Sequence, residues 1–409
     1  MRQSANSIYL IIAGVAAFCF SVTFTTSAIY RFEAAGLNPL QLILVGTTLE
    51  LAVFLFEIPT GIVADVYSRR LSALIGFALI GCGFLVEGAW PLFATILLAQ
   101  VIWGVGYTFT SGALDAWLAD EIGEARLAAA LLRGAQFGQA GSFVGIFVGV
   151  WLASFRLSLP YLVGGSGLLL LALYLLIAMP ETAFTPVAAA ERQTLTGLST
   201  TLRQGMSVIR NSPMLQTMLA VALFYGFSSE GIDRLWEAHL LANFTLPGLD
   251  RLDPIYWFGI LNGSVMLLTI GSTEIVRRRA ESLDGRRLAL LLAAMTAGLI
   301  GGLLIFGLAP AFGVAIGAYV MLAVVRGTMS PLLATWYNRG IPSPVRATVL
   351  STIGQMDAIG QVVGGPPLGA FATRFGLSAM FALIALLLTP VLALYVRAIS
   401  LAERRGRVD

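Results

Sequence analysis

The sequence predicts an all-α membrane protein with twelve transmembrane helices in two six-helix, pseudo-symmetric bundles. Three observations support this fold class: an apolar composition, twelve long apolar runs, and arginines concentrated on one side of those runs. The 409 residues are 57% hydrophobic and only 11% charged, whereas soluble domains carry about 25% charged residues. One soluble core cannot bury so large an apolar share, so the expected environment is a lipid bilayer.

The composition also argues against several classes of function. All 25 basic residues are arginine, so no phosphate loop with its lysine is present, which argues against ATP-driven pumping by this chain. One histidine and two cysteines leave little room for a metal site, and we expect no metal and no cofactor. Cys19 and Cys82 lie in apolar runs and do not indicate a disulfide framework. The net charge of +3 comes without a basic tract, so we expect no nucleic-acid partner.

Each apolar run is long enough to cross a bilayer, which takes about 20 residues. The runs lie at 8–30, 39–64, 71–90, 92–119, 129–153, 158–179, 213–236, 254–276, 288–308, 312–337, 347–371 and 376–397. The first run is too long for the apolar part of a signal peptide and begins an unbroken series, so we interpret it as a span.

The polar stretch between the sixth and seventh runs predicts a division of the chain into two halves. We expect an N-terminal bundle at 1–184, a cytoplasmic linker at 185–210 and a C-terminal bundle at 211–409. Apolar residues recur at helical spacing from Leu195 to Ile209. They fit a helix lying on the membrane surface, and a solvated linker is the alternative.

The arginines predict the orientation of the spans. If both termini are cytoplasmic, 19 arginines lie at the cytoplasmic side and four at the opposite side, namely Arg31, Arg156, Arg251 and Arg374. Arg234 and Arg326 remain within the spans. Such a bias satisfies the positive-inside rule and favours an even number of spans in the cytoplasmic membrane.

The two halves show an internal repeat with an offset of 219 residues. Without a gap, this offset aligns Ser111 with Ser330, Trp117 with Trp336, Gln136 with Gln355, Gly141 with Gly360, and Gly145 with Gly364. Six plus six spans with a duplicated half is typical of parallel-repeat transporters.

The segment between the second and third runs carries a recognisable pattern. Gly61, Asp65, Arg69 and Arg70 follow the order G-x-x-x-D-x-x-x-R-R. With the twelve runs and the central polar stretch, this pattern resembles the loop signature of the major facilitator superfamily. Glycines and prolines of the eleventh run, such as Gly364, Pro366 and Pro367, are similar to a motif that the drug/proton antiporters of this family carry in their fifth span. Val66 and Ser68 depart from the basic residue and the glycine that are usual in the family. The resemblance implies a secondary transporter whose two halves expose a central site alternately to each side.

The spacing of these residues suggests a cytoplasmic gate. Gly61 and Asp65 lie four residues apart on one helix face, where glycine permits close approach of a neighbouring helix. Asp65 can then meet the positive N-terminal end of that helix, which the resemblance identifies as the eleventh run. Arg69 can pair with Asp120 or Glu121 at the end of the fourth run. We therefore assign Gly61, Asp65, Arg69, Arg70 and Asp120 to the gate; charges that only set the topology are the alternative.

Five charged residues inside the runs are candidates for a proton or substrate site: Glu50, Glu57, Glu230, Arg326 and Asp357. A charge at the bilayer centre costs roughly 2.5–3.5 kcal/mol, so it normally faces a water-filled cavity or another helix. A carboxylate withdrawn from water takes up a proton more readily. The alternative for each residue is a structural ion pair or a hydrogen bond between helices.

Together with the acids inside the runs, the resemblance implies proton-coupled efflux of small amphipathic compounds by alternating access. The expected partners are a small-molecule substrate, protons and the lipid bilayer, and we expect a monomer. An importer or facilitator of a polar metabolite is the alternative, and a membrane-embedded enzyme or a receptor is a more remote one. The lone His239, expected in the loop after the seventh run, has no readable nucleophile–base partner, so we expect no enzymatic activity.

Overall fold

Twelve long helices make up most of the chain in the computed structural model, which describes residues 4–185, 209–210, 212–248, 253–280, 283–339, 341 and 346–405. They are α1 Ala5–Phe24, α2 Pro39–Val66, α3 Arg69–Ala89, α4 Phe93–Thr110, α5 Glu124–Phe155, α6 Leu159–Ala178, α7 Pro213–Asn243, α8 Tyr256–Ala280, α9 Gly285–Gly307, α10 Phe312–Asn338, α11 Arg346–Phe375 and α12 Leu377–Arg405. Shorter helical segments follow α1, at Ser27–Ile29 and Tyr30–Ala34, and α4, at Ala113–Ile122. Within the described ranges, all regular secondary structure is helical.

Each of the twelve apolar runs coincides with one of these helices, and the first and fourth runs continue into the shorter segments that follow α1 and α4. This agreement confirms the all-helical class. Among the described residues, ten helical segments are long and apolar enough to span a membrane. The remaining two, α7 and α11, are 31 and 30 residues long, but their sequences are more polar. A membrane crossing by α7 and α11 stays a prediction.

Local sequence signals account for several helix boundaries. Asn38 and Gln41 form a reciprocal capping box at the start of α2, which satisfies two backbone N–H groups that lack helical partners. Ser68 caps α3 in a similar way, through its side-chain oxygen. The fourth run was predicted as one element, but Gly112 adopts φ 69° and ends α4 before Ala113–Ile122 begins. Glycine tolerates this left-handed conformation, which side chains disfavour.

The chain divides into two compact units. The first contains residues 1–192 and 247–263, and the second contains residues 193–246 and 264–409. In the first unit, the start of α8 packs on the end of α5, where the Ser154 and Tyr256 hydroxyls are 3.4 Å apart. The predicted bundles at 1–184 and 211–409 stay a prediction. The linker helix expected at Leu195–Ile209 lies almost wholly outside the described residues.

Glycines at aligned positions bring one helix pair into close contact in each unit. In the first unit, a Cβ added to Gly141 on α5 would overlap the backbone of Gly14 on α1. In the second unit, a Cβ on Gly360 of α11 would overlap the backbone of α7 at Leu223 and Phe227. Gly141 and Gly360 are equivalent under the 219-residue offset, so the repeat in the sequence corresponds to the same packing in both units.

A buried ion pair holds several helices of the first unit together. Arg31 and Glu87 are 2.7 Å apart, with 5% and 2% of their side chains exposed. Tyr161 donates to Glu87 Oε1 at 2.7 Å and Gln100 donates to Oε2 at 2.6 Å. A buried pair needs such additional hydrogen bonds to offset its desolvation. This network joins α3, α4 and α6 to the segment that follows α1.

His239 was expected in a loop, and this expectation was wrong. The residue lies inside α7 and is 1% exposed. Its Nε2 is 3.1 Å from the carbonyl oxygen of Phe306 on α9, and its Nδ1 is 3.1 Å from Asn243 Nδ2. The helix continues for about two turns beyond the apolar run, and Glu237 and His239 in this extension are buried within the second unit.

Candidate functional site

The second unit contains a cavity of about 670 Å³. Helices α7, α9, α10, α11 and α12 contribute its walls. Its volume falls within the range of about 300–1,000 Å³ that is usual for small-molecule sites. The charged residues that line it are Asp233, Arg326 and Asp357, and two of these, Arg326 and Asp357, were site candidates from the sequence.

Arg326 and Asp233 form a two-point ion pair across the cavity wall. Arg326 Nη2 donates to Asp233 Oδ2 at 2.9 Å, and Nη1 donates to Oδ1. The side chains are 30% and 48% exposed, so the cavity reaches both of them. The planar guanidinium matches the two carboxylate oxygens, which makes this pairing directional as well as strong. The pair therefore fixes α10 against α7 while leaving its outer edge accessible.

Asp357 lies on the α11 wall, where α11 is in backbone contact with α7. Its Oδ2 accepts a hydrogen bond of 2.8 Å from Gln361 Nε2, one turn along the helix. A Cβ added to Gly226 on α7 would overlap the backbone of Asp357. Asp357 also interacts electrostatically with Asp233 and Arg326. The cavity thus combines one guanidinium with two carboxylates.

Hydroxyl groups form a second feature of the cavity wall. The Tyr225 hydroxyl is 2.5 Å from Thr296 Oγ1 and 3.2 Å from the Tyr395 hydroxyl. It also lies 3.7 Å from the sulfur of Met329. Tyr225 and Met329 line the cavity together with Ser228, Ser229, Ser330, Tyr337 and Asn338. The wall therefore offers aromatic faces and hydroxyl groups close to the three charged residues.

Glu230 does not line the cavity among the described residues. It is 2% exposed, and its Oε2 lies 3.4 Å from Arg234 Nε in the same helix. This geometry fits a structural ion pair, which was the alternative to a proton or substrate role for Glu230.

Glu50 and Glu57 lie on α2 in the first unit, apart from this cavity. Glu50 is half-buried and Glu57 is exposed. Glu57 Oε1 accepts a hydrogen bond of 3.2 Å from the Ser111 hydroxyl at the end of α4. Of the five charged candidates, Arg326 and Asp357 line the same cavity of the second unit.

The two arginines of the G-x-x-x-D-x-x-x-R-R pattern contact residues of the first unit. Arg69 Nη1 donates to the carboxylate of Asp120 and, at 2.7 Å, to the carbonyl oxygen of Ala116. Arg70 Nη2 donates to the carbonyl oxygen of Leu176. Glu181 accepts from the Arg70 backbone N–H at 2.9 Å and from the Ser68 hydroxyl at 2.6 Å. These contacts join the start of α3 to Ala113–Ile122 and to the end of α6.

Gly61 and Asp65 have a more open environment. Asp65 is exposed near the end of α2. A Cβ added to Gly61 would have no heavy atom of the described residues within 4 Å. The close helix contact expected at Gly61 stays a prediction.

Sequence reasoning did not assign a site role to Asp233 or Glu181. Arg326 could have led to Asp233, because an arginine inside a span pairs with a carboxylate or a backbone carbonyl. Asp233 is the acid that lies one turn beyond Glu230 on α7. Glu181 follows the sixth run directly, and its pairing with the start of α3 depends on the packing of α3 against α6. Within the described part of the chain, no cluster of three or more His, Cys, Asp or Glu residues is suited to a metal ion.

Comparison with known proteins places these features in a family. The family model of the Major Facilitator Superfamily matches residues 9–365. The chain is 24% identical over 368 residues to the uncharacterized MFS-type transporter YxaM of Bacillus subtilis (strain 168), covering 87% of this chain and 86% of that protein. It is 28% identical over 359 residues to the MFS efflux pump atnC of Emericella nidulans, covering 80% of this chain and 66% of the pump.

Solved structures show the same fold. The nucleoside transporter NupG superposes with a TM-score of 0.79 at 13% identity, covering 97% of this chain and 99% of NupG. A bacterial homolog of the human lysosomal transporter Spinster gives a TM-score of 0.71 at 15% identity, covering 98% of this chain and 96% of the homolog. The family match over most of the chain and the shared fold lead to one conclusion: the chain belongs to the Major Facilitator Superfamily.

Proposed function

We propose that this protein is a proton-coupled secondary transporter that exports small amphipathic compounds across the cytoplasmic membrane by alternating access. The observation that carries the proposal is the cavity of about 670 Å³ lined by Asp233, Arg326 and Asp357. Charged groups within spans usually mark a substrate or ion pathway. In this proposal the chain acts as a monomer with twelve spans, two six-helix bundles and cytoplasmic termini.

We assign the proton to Asp357. Arg326 is already paired at two points with Asp233, so its single positive charge offsets one carboxylate. A second ionised carboxylate in the same cavity would repel the first, and like charges at one site favour protonation of one of them. Among the described residues, the side-chain hydrogen-bond partner of Asp357 is neutral Gln361. Proton uptake and release at Asp357 can therefore change the net charge of the cavity without breaking the ion pair.

The walls of the cavity support the proposed substrate class. Tyr225, Met329 and Tyr337 offer aromatic and polarizable surface, and the polar groups lie beside it. A site with an apolar wall and a few polar groups suits a molecule that has both characters. The relative atnC is named an efflux pump, which agrees with export. Import of a polar metabolite is the second candidate, favoured by Ser228, Ser229, Ser330 and Asn338 on the same wall.

The cytoplasmic gate remains part of the proposal. Arg69, Arg70 and Asp120 are fixed by contacts within the first unit, and Asp65 is exposed. In this proposal the fixed arginines hold the ends of α2 and α3, so that the exposed carboxylate is available to a helix that approaches during the transport cycle.

The direct test is a flux assay with the purified protein in proteoliposomes. A panel of amphipathic cations, neutral amphipaths and polar metabolites is offered with and without an imposed pH gradient. We expect an amphipathic compound to move against its own gradient when protons move in the opposite direction. Active uptake of a polar metabolite would support the second candidate. Equal flux with and without the pH gradient, for every compound that moves, would contradict proton coupling.

A further inference from the structure

A second cavity, which the proposed transport mechanism does not use, lies between α8 and α10. It has a volume of about 470 Å³. The residues that line it are Thr273, Val276, Arg277, Thr328, Pro331, Leu332, Thr335 and Arg339. We call this space the α8–α10 crevice. All eight residues belong to the second unit, and none of them lines the cavity that contains Asp357.

The two helices touch at one end of the crevice. Ser272 Oγ and Thr328 Oγ1 are 2.6 Å apart, and a Cβ added to Gly327 would lie 2.6 Å from Thr269 Cγ2. Pro331 follows one turn later inside α10. Proline lacks an N–H group and its ring crowds the preceding turn, which bends a helix. The crevice opens beyond this closed end, toward the ends of both helices.

The interior of the crevice and its mouth differ in character. Val276, Pro331 and Leu332 give the crevice an apolar surface. Arg277 lies in the last turn of α8 and Arg339 directly follows α10, and we call this end of the crevice its mouth. Arg339 Nη1 donates to the carbonyl oxygen of Leu283 at 2.8 Å. Within the described part of the chain, no carboxylate lies within ion-pair distance of Arg339.

Among the described residues, arginines outnumber acids at the mouth. Glu274 is shared by Arg277, at 2.8 and 2.9 Å, and by Arg278, at 2.8 Å. Arg339 adds a guanidinium group for which the described residues supply no carboxylate within ion-pair distance. The neighbouring Arg286 and Arg287 have acids of their own, Glu403 and Asp284. The excess charge lies at the end of the spans that the positive-inside rule assigns to the cytoplasm.

We propose that the α8–α10 crevice binds one anionic phospholipid from the cytoplasmic leaflet. Its phosphate lies between Arg277 and Arg339, and one acyl chain enters the apolar interior toward the Ser272–Thr328 contact. Basic pockets between membrane helices on this side are suited to anionic lipid headgroups. A free phosphate ion would use the arginines but would gain nothing from the apolar interior. This site does not depend on the substrate or on the coupling ion.

The test measures lipid retention by native mass spectrometry of the full-length protein, delipidated in detergent. Phosphatidylglycerol and phosphatidylcholine with the same acyl chains are added in turn, and inorganic phosphate is added as a competitor. We expect retention of phosphatidylglycerol in preference to phosphatidylcholine. Arg339→Gln should lower that retention about fivefold, the effect of losing one basic contact to an anionic lipid. Thr335→Trp, which fills the crevice but keeps both arginines, should lower it as well.

Arg286→Gln is the matched control, because it removes a guanidinium from the same end of the second unit but outside the crevice. Equal retention of the two lipids, or equal losses for Arg286→Gln and Arg339→Gln, would overturn the proposal. Competition by inorganic phosphate that Thr335→Trp leaves unchanged would also overturn it, since it would identify a free-anion site. If Thr335→Trp does not fold, the comparison of Arg339→Gln with Arg286→Gln still decides the outcome.

Discussion

Arg326 on α10 binds both carboxylate oxygens of Asp233 on α7, although 93 residues separate the two in the sequence. The pair faces the cavity of the second unit, where 30% and 48% of its side chains are exposed. An ion pair in this position has two effects. It fixes two helices in register, and it presents fixed charges to whatever enters the cavity.

Removing one partner of this pair should lower the free energy of unfolding more than removing both partners. Arg326→Gln leaves Asp233 as an uncompensated charge and should lower the free energy of unfolding by roughly 1–3 kcal/mol. The 3–5 kcal/mol typical of fully buried pairs is reduced here because water in the cavity reaches both groups. The double variant Asp233→Asn/Arg326→Gln should recover part of the loss. Melting temperatures of the wild type, both single variants and the double variant in detergent form a complete cycle. Additive losses in the double variant would show that the two groups are not coupled.

Asp357→Asn should uncouple transport from protons. The amide preserves the shape and the hydrogen bond with Gln361 but cannot change its charge. Exchange of substrate across the membrane should persist, whereas an imposed pH gradient should no longer drive net flux. The assay is flux in proteoliposomes at several external pH values.

Glu57→Gln provides the comparison for Asp357→Asn, because Glu57 is an exposed acid of the first unit. It should keep the pH dependence of the wild type. If Glu57→Gln abolishes the response to pH and Asp357→Asn keeps it, the proton belongs to α2 instead.

Asp120→Asn should slow turnover without lowering expression. The change removes the carboxylate partner of Arg69 and leaves its guanidinium, on a side chain that is 18% exposed, with the Ala116 carbonyl. An ion pair that water still reaches is worth about 1 kcal/mol, which corresponds to a change in rate of about fivefold. Initial rates in proteoliposomes, normalised to protein, provide the measurement. Asp65→Asn should also slow turnover if the exposed carboxylate takes part in the gate.

Arg126→Gln serves as the control for this region, since Arg126 is exposed near the start of α5. Its turnover should match the wild type. A similar loss of turnover in Arg126→Gln and Asp120→Asn would indicate a general effect of surface charge instead of a gate.

Gly226→Ala should destabilise the second unit. The added Cβ would overlap the backbone of Asp357, and relieving such an overlap by moving a helix typically costs about 1–3 kcal/mol. Gly354→Ala is a matched control on the facing helix, because a Cβ there has no heavy atom of the described residues within 4 Å. Alanine favours helix over glycine, so Gly354→Ala should be neutral or stabilising. Thermal unfolding in detergent distinguishes the two, and equal melting temperatures would contradict the close contact.

The positions of the helices could be predicted because each apolar run is long enough to cross a bilayer. The break in the fourth run could not, since Gly112 is one of 44 glycines and only its backbone conformation marks it. The aligned glycines Gly141 and Gly360 were visible as a repeat in the sequence, but the helices they contact became evident only from the packing.

The candidate site was only partly predictable. Arg326 and Asp357 could be selected because a charged side chain inside a span normally faces a water-filled cavity or pairs with another helix. The same criterion also selected Glu230, because a sequence does not distinguish an acid that faces a cavity from one paired with Arg234 on its own helix. The Arg31–Glu87 pair was missed because both residues lie at the ends of apolar runs, where charges usually contact water.

The contact between α7 and α11 has a consequence for how the protein enters the membrane. Among the described residues, these two long helices are not apolar enough to count as candidate membrane spans. Their backbones are in close contact at Gly226 and Asp357. Acidic and basic residues penalise the insertion of an isolated helix. More than one hundred residues separate the two segments, so during synthesis α7 emerges from the ribosome long before α11. We therefore expect stable integration of α7 to wait for α11, so that chains truncated before α11 leave α7 poorly inserted and open to quality-control proteolysis.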